Sequence, residues 1–109
     1  MSSRVYEIVE VTASTTIAFP EGEAYLVVGA KGMVTSTGWS NPTLSRFIYL
    51  NPPKDGIQDF DFRAEPPAAG TITQPVVTPI MVIELKSLPS WAKGIRVHSV
   101  TNYKEFRLP

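Results

Sequence analysis

The chain has 109 residues, the size of one domain and enough to close a single core without covalent staples. Ten basic residues balance ten acidic ones, for a formal net charge of zero, which argues against electrostatic capture of nucleic acid or of an anionic membrane. Cysteine is absent, so disulfides, thiol catalysis and cysteine-based zinc sites are excluded.

Hydrophobic residues make up 43% and charged residues 18% of the chain, a balance that favours a folded core over disorder. Met1-Ser2-Ser3-Arg4 is followed by no apolar run, so a cytoplasmic protein is expected. Removal of a leader would leave secretion open. Apolar stretches such as Ile80-Met81-Val82-Ile83 are far short of a bilayer span, and no membrane insertion is expected.

Short apolar segments separated by turn chemistry predict an all-β fold. Arg4–Val11 reads as the first strand. Thr16–Phe19 resumes after a polar interruption, and Pro20–Glu23 is a turn. Ala24–Thr35 is a strand in which Gly29 and Gly32 mark a bulge or a close backbone approach. Thr37–Pro42 is a loop, Leu44–Leu50 a strand with Phe47 and Tyr49 on one face, and Asn51–Gly56 a second loop.

Ile57–Arg63 alternates cleanly. Phe60 and Phe62 are expected in the core, with Asp59, Asp61 and Arg63 on a solvent face. Ala64–Pro75 is a loop. Val76–Lys86 is a strand containing Pro79, so its first half should lie at a sheet edge or a bulge. Ser87–Lys93 is a connection. Gly94–Leu108 changes phase after Val97, through a bulge near His98-Ser99 or a turn near Asn102. The expectation is a single antiparallel β-sandwich over residues 1–109, of about seven strands and immunoglobulin-like in size, without a disulfide. Loops should then alternate between its ends. The Trp39 and Pro66-Pro67 loops would share one pole, and the Pro52-Pro53 and Trp91 loops the other.

Few residues carry chemistry. His98 is the one histidine, and no Gly-x-Ser-x-Gly elbow accompanies it, so a strand histidine is expected in place of a triad member. Asp59 and Asp61 stand about 6.5–7 Å apart on one strand face, within the range of inverting-glycosidase carboxylates. Glycosidase carboxylates flank a deep cleft, so a solvated face balanced by Arg63 or Arg46 is the expected arrangement. Asp55, Asp59 and Asp61, with Glu65, are calcium-ligand candidates, although their spacing does not match an EF-hand. Tyr25, Phe47, Tyr49, Phe60, Phe62 and Tyr103 are aromatics of the kind that stack on bases. The neutral charge favours a packing role, and no nucleic acid is expected.

Loop residues offer the best binding candidates. Trp39, Ser40, Asn41 and Pro42, extended by Glu65, Pro66 and Pro67, would form a rigid proline-stiffened surface for a protein partner. The triplet Asn41-Pro42-Thr43, in an all-β chain of this length, resembles the chagasin-type cysteine-protease inhibitors, which are immunoglobulin-like and wedge loops into papain-like clefts. The resemblance implies a loop-mediated protease inhibitor as a minor alternative. It stops at the triplet, because Leu44-Ser45-Arg46 follow it and the family's other two loops have no counterparts.

The function expected from the sequence is a non-enzymatic binding or structural module. It would present rigid loops or a sheet edge to a protein partner, or self-associate as a homodimer, with no cofactor. A small-ligand or calcium-dependent domain, carbohydrate-binding included, is the alternative.

Overall fold

The structure is a computed structural model that describes residues 2–15 and 24–108. The expected strand Thr16–Phe19 and turn Pro20–Glu23 lie outside the described residues. Eight strands occur among them: β1 (Ser3–Arg4), β2 (Glu7–Thr15), β3 (Ala24–Val34), β4 (Ser40–Arg46), β5 (Ile57–Glu65), β6 (Thr78–Leu88), β7 (Gly94–His98) and β8 (Tyr103–Arg107). No described residue is helical, and no helix is long and apolar enough to cross a membrane.

The strands form two sheets in a sandwich-like arrangement. One sheet runs β2-β3-β6. In the other, β5 pairs with β4 along one side. Its opposite side is shared, with β7 against Ile57–Asp61 and the two-residue β1 against Arg63–Ala64. β8 completes this sheet beside β7. The expectation of about seven strands undercounts, because β1 is short and Gly94–Leu108 divides into two. The division is the predicted turn: Ser99 N–H donates to Asn102 C=O at 2.9 Å, which closes the β7–β8 hairpin.

The expected all-antiparallel order needs correction. β5 and β7 run parallel. Between them the chain crosses to the other sheet, runs along β6 and crosses back, so β7 must start at the end where β5 started.

Alternation decides the core. Leu26, Val28, Ala30 and Val34 of β3, with Val82 and Leu88 of β6, face Phe60, Phe62 and Ala64 of β5 and Ile95 and Val97 of β7. Phe60 and Phe62 are fully buried, as the pattern predicts. Each large buried side chain contributes about 1.5–3 kcal/mol by leaving water. Gly32 is held to a bare α-carbon, since a Cβ there would stand 2.6 Å from Glu7 C=O.

Several boundaries move relative to the sequence pattern: β2 continues through the polar stretch to Thr15, β5 reaches Glu65, and β6 spans Thr78–Leu88. The segment Ser40-Asn41-Pro42 belongs to β4 and is not a loop. Ser40 pairs with Glu65, and the irregularity before Thr43 is taken up by Asn41, whose φ is 51°. This also places Asn41-Pro42-Thr43, the triplet that carries the inhibitor resemblance, in a strand. At the other end β4 stops at Arg46, so Phe47–Leu50 is not strand.

Candidate interaction surface

The outer face of the larger sheet carries the candidate catalytic and metal-ligating residues. Strand pairing puts Asp59, Arg96 and Glu105 in one row across β5, β7 and β8. The guanidinium of Arg96 donates to Asp59 Oδ1 at 3.1 Å, to Asp55 Oδ2 at 3.1 Å and to Glu105 Oε1 at 2.8 Å. These contacts push the Arg96 pKa up, with the Glu105 hydrogen bond the largest favourable cause. Asp55 is held below the usual carboxylate range, first by the Ile57 N–H that it accepts and then by Arg96.

Asp59 is 8% exposed, so the expected solvent face is covered at this position. The cover comes from Tyr49, with Phe47 beside it. The Tyr49 hydroxyl donates to Asp59 Oδ2 and accepts the Asp59 N–H at 2.9 Å. Burial and the Asp59 carboxylate together push the Tyr49 pKa up to about 12. His98 Nε2 lies 2.7 Å from Asp59 Oδ1. A carboxylate only accepts, so this nitrogen carries the proton. Phe47 stacks on the His98 ring at 5.2 Å and Tyr103 tilts against it at 5.7 Å. Among the described residues no hydroxyl is hydrogen-bonded to His98.

Asp61 turns the other way along β5. Arg4 Nη2 is 2.8 Å from it and Arg63 Nη1 3.7 Å. Arg63 therefore balances Asp61 as expected. Arg46 does not, because it points to the opposite side, over the Phe60 ring and towards Ser87. Asp55 and Asp59 thus share Arg96 while Asp61 is held by Arg4, and no group of three ligating side chains converges on a metal position among the described residues. Of the aromatics considered for base stacking, Phe60 and Phe62 are core, while Phe47, Tyr49 and Tyr103 line this polar cluster.

The loop candidates do come together. Asn41 Nδ2 donates to Glu65 Oε2 at 3.0 Å. Thr37 and Gln74 exchange hydrogen bonds of 3.1 and 2.9 Å. A Cβ on Gly38 would meet Pro67 at 3.2 Å, and the φ of 90° at Gly38 already favours glycine. Trp39, however, packs against the hydrophobic core and leaves its Nε1 buried without a partner. It is a lid on the core more than a projecting anchor. At the opposite pole Tyr49 meets Trp91 edge-on at 5.8 Å, beside a hollow of about 240 Å³ that Pro52 and Asn51 also line. The sharing of poles by these loops follows the alternation read from the sequence.

An exposed apolar row lies on a strand that the loop reading passed over. On β6, Met81, Ile83 and Leu85 alternate with the inward Val82 and are 60%, 68% and 61% exposed. The direction of their backbone groups follows from two hydrogen bonds. Met33 C=O receives the Tyr6 N–H at 3.0 Å, so Met33 turns its polar groups towards β2. Met33 pairs with Pro79, and the β3–β6 register is unbroken from Ala24↔Leu88 to Val34↔Thr78. Pro79, Met81, Ile83, Leu85 and Ser87 therefore direct their backbone groups away from β3, towards the free edge. Ser87 agrees, since Arg46 of the other sheet donates to its C=O. Pro79 sits where its missing N–H faces outward, which explains its tolerance in a strand.

Other edges carry guards along part of their length. On β8 the outer row is Tyr103, Glu105 and Arg107, and charge deters strand addition. On β2 the Ser99–Asn102 turn covers the start of the strand: Val100 and Thr101 donate to Val5 and Tyr6 C=O, and the Asn102 amide both accepts from Ile8 N–H and donates to Ile8 C=O. On β4, Leu44 N–H is capped by Glu84 Oε1 at 3.0 Å. Among the described residues, nothing hydrogen-bonds the outward groups of Met81, Ile83 and Leu85. Beside Ile83 a shallow groove of about 210 Å³ opens over Gly29, bordered by Glu10, Thr12 and Lys31.

No family model, no curated protein and no solved structure matches the chain.

Proposed function

We propose that the chain is a non-enzymatic protein-interaction module that binds another polypeptide through the edge of β6. Main-chain pairing along Met81, Ile83 and Leu85 would supply affinity, and the apolar outer row would select the partner's side chains. The observation that supports this is the coincidence, on the same three residues, of exposed apolar side chains and unpaired backbone groups. Such an edge is normally shielded in a protein that remains alone. The proposal keeps the expectation of an immunoglobulin-like module, two sheets with loops gathered at the poles. It moves the contact from the Trp39 loop to a strand. A protein or a second copy is the proposed partner, in preference to nucleic acid or a bilayer.

A photoreactive residue at position 83 tests the reading in cells that make the protein. Covalent adducts with a polypeptide are expected from position 83 and not from Ser45, on the outer face of the other sheet. Absence of adducts from position 83 would overturn it.

A second reading, a small-ligand site, is supported by the hollow beside Tyr49 and Trp91. Aromatic faces next to Asn51 suit a carbohydrate ring. Titration with simple sugars should then quench tryptophan fluorescence in the wild type and not in Trp91→Phe. Calcium is not favoured by Asp55 and Asp59, because Arg96 already supplies their counter-charge.

A further inference from the structure

We infer that the occupant of the β6 edge is a second copy of this chain, joined antiparallel about a two-fold axis at Ile83; this rests on the interaction-module reading above. The free edge itself specifies the register. Its outward residues are Pro79, Met81, Ile83, Leu85 and Ser87, and two of them are unlike the rest. Pro79 has no N–H to donate. Ser87 has a C=O that already accepts from Arg46.

In an antiparallel hydrogen-bonded pair, each residue gives its N–H to the other's C=O. With the axis at Ile83, Pro79 stands opposite Ser87 of the second copy. The one missing donor then faces the one acceptor that is already occupied. Ser87 N–H still donates to Pro79 C=O, and every other outward group of the edge finds a partner. Moving the axis to Met81 or Val82 sets Pro79 opposite Ile83 or Leu85 and leaves a bare C=O. Moving it to Glu84 or Leu85 sets Met81 or Ile83 opposite Ser87, whose C=O must then accept a second hydrogen bond beside that of Arg46.

The same register assembles the side chains. Ile83 meets Ile83 of the second copy, and Met81 meets Leu85 on either side. Apolar cross-strand pairs of this kind stabilise sheets. No charge occurs in the outer row from Pro79 to Ser87, so the pairing brings no like charges together on that face. The two three-stranded sheets would become one continuous six-stranded sheet, β2-β3-β6 followed by β6-β3-β2, with both β6 edges removed from solvent.

Cysteine scanning decides the matter, because the chain has no cysteine of its own. Directly opposed residues in a hydrogen-bonded pair have Cα atoms about 5.5 Å apart, within disulfide range. Ile83→Cys should oxidise to a covalent dimer, while Met81→Cys and Leu85→Cys alone should not. A mixture of Met81→Cys and Leu85→Cys should give the crossed dimer. Without cysteine, the wild type should have twice the 12.0 kDa chain mass in solution, and Ile83→Lys should weaken dimerisation at least tenfold while its far-UV spectrum is unchanged. A monomeric wild type at its highest soluble concentration would overturn the inference. So would cross-linking of Leu85→Cys with itself, which would place the axis elsewhere. A monomer whose position 83 still cross-links to a different polypeptide leaves the interaction-module reading standing; a monomer with no adduct ends both.

Discussion

The two outward faces of this sandwich are built on the same alternation and end in opposite chemical states. On the larger sheet, Asp59, Arg96 and Glu105 form a row of alternating charge, closed over by Tyr49, Phe47 and His98. On the smaller sheet, Met81, Ile83 and Leu85 stand exposed above unpaired backbone. The first face is satisfied from within the chain and the second is not. A polar face can be saturated by its own side chains, since charges and hydrogen-bonding groups find each other across a sheet. An apolar row at an edge can be covered only by more polypeptide.

That contrast can be broken from the satisfied side. Asp59→Ala should cost about 2–3 kcal/mol in urea unfolding, because it strips Arg96, His98 and Tyr49 of a shared, nearly buried acceptor. A cost below about 0.5 kcal/mol would mean the cluster is a solvated surface feature. Asn102→Ala should cost about 2 kcal/mol, since the side-chain amide is the partner of both Ile8 N–H and Ile8 C=O. Asn102→Asp keeps the acceptor and loses the donor, and should fall between.

Alkaline titration sharpens the same comparison. The Tyr49 hydroxyl is raised from 10.0 to about 12 in the folded protein. A raised folded pKa means the unfolded chain loses this proton first, so the contribution is complete below pH 10.0 and is lost as pH climbs to about 12. The melting temperature should drop across that window more steeply in wild type than in Tyr49→Phe. Parallel curves would remove Tyr49 from the network. The smallest effect is expected on the open side: Leu85→Lys should change the stability of the monomer by no more than about 0.5 kcal/mol, because the side chain is already in water. A larger loss in dilute solution would show that the row is buried within one chain.

Much of the scaffold was readable in the residues. Phe60 and Phe62 declared the inward face of β5 by strict alternation, and Pro79 announced an edge because an interior strand has no place for a residue without N–H. The turn at Asn102 was visible as a loss of phase. The polar cluster was harder to foresee. Phe47 and Tyr49 alternate like core residues, yet they leave the sheet and fold over Asp59. Arg96 and Glu105 share its row only because β7 lies parallel to β5, a pairing made across an intervening strand of the other sheet. Trp39 carried the marks of a recognition loop, with small polar neighbours and a nearby proline, but it is drawn onto the end of the core.

From the sequence by itself came the fold class, the strand periodicity, the identity of the central core residues and the exclusion of cysteine chemistry. These depend on interactions between residues a few positions apart, where period and turn residues leave a direct trace. Only the tertiary structure decided which charges meet, which strands run parallel and which edge is left open. Those are consequences of pairing between segments distant in the chain, and the side of a strand that receives a partner leaves no mark in its own alternation. Met81, Ile83 and Leu85 read the same whether β6 is central or at an edge; the register with β3 and the reach of Arg46 to Ser87 are what turn their backbone outward.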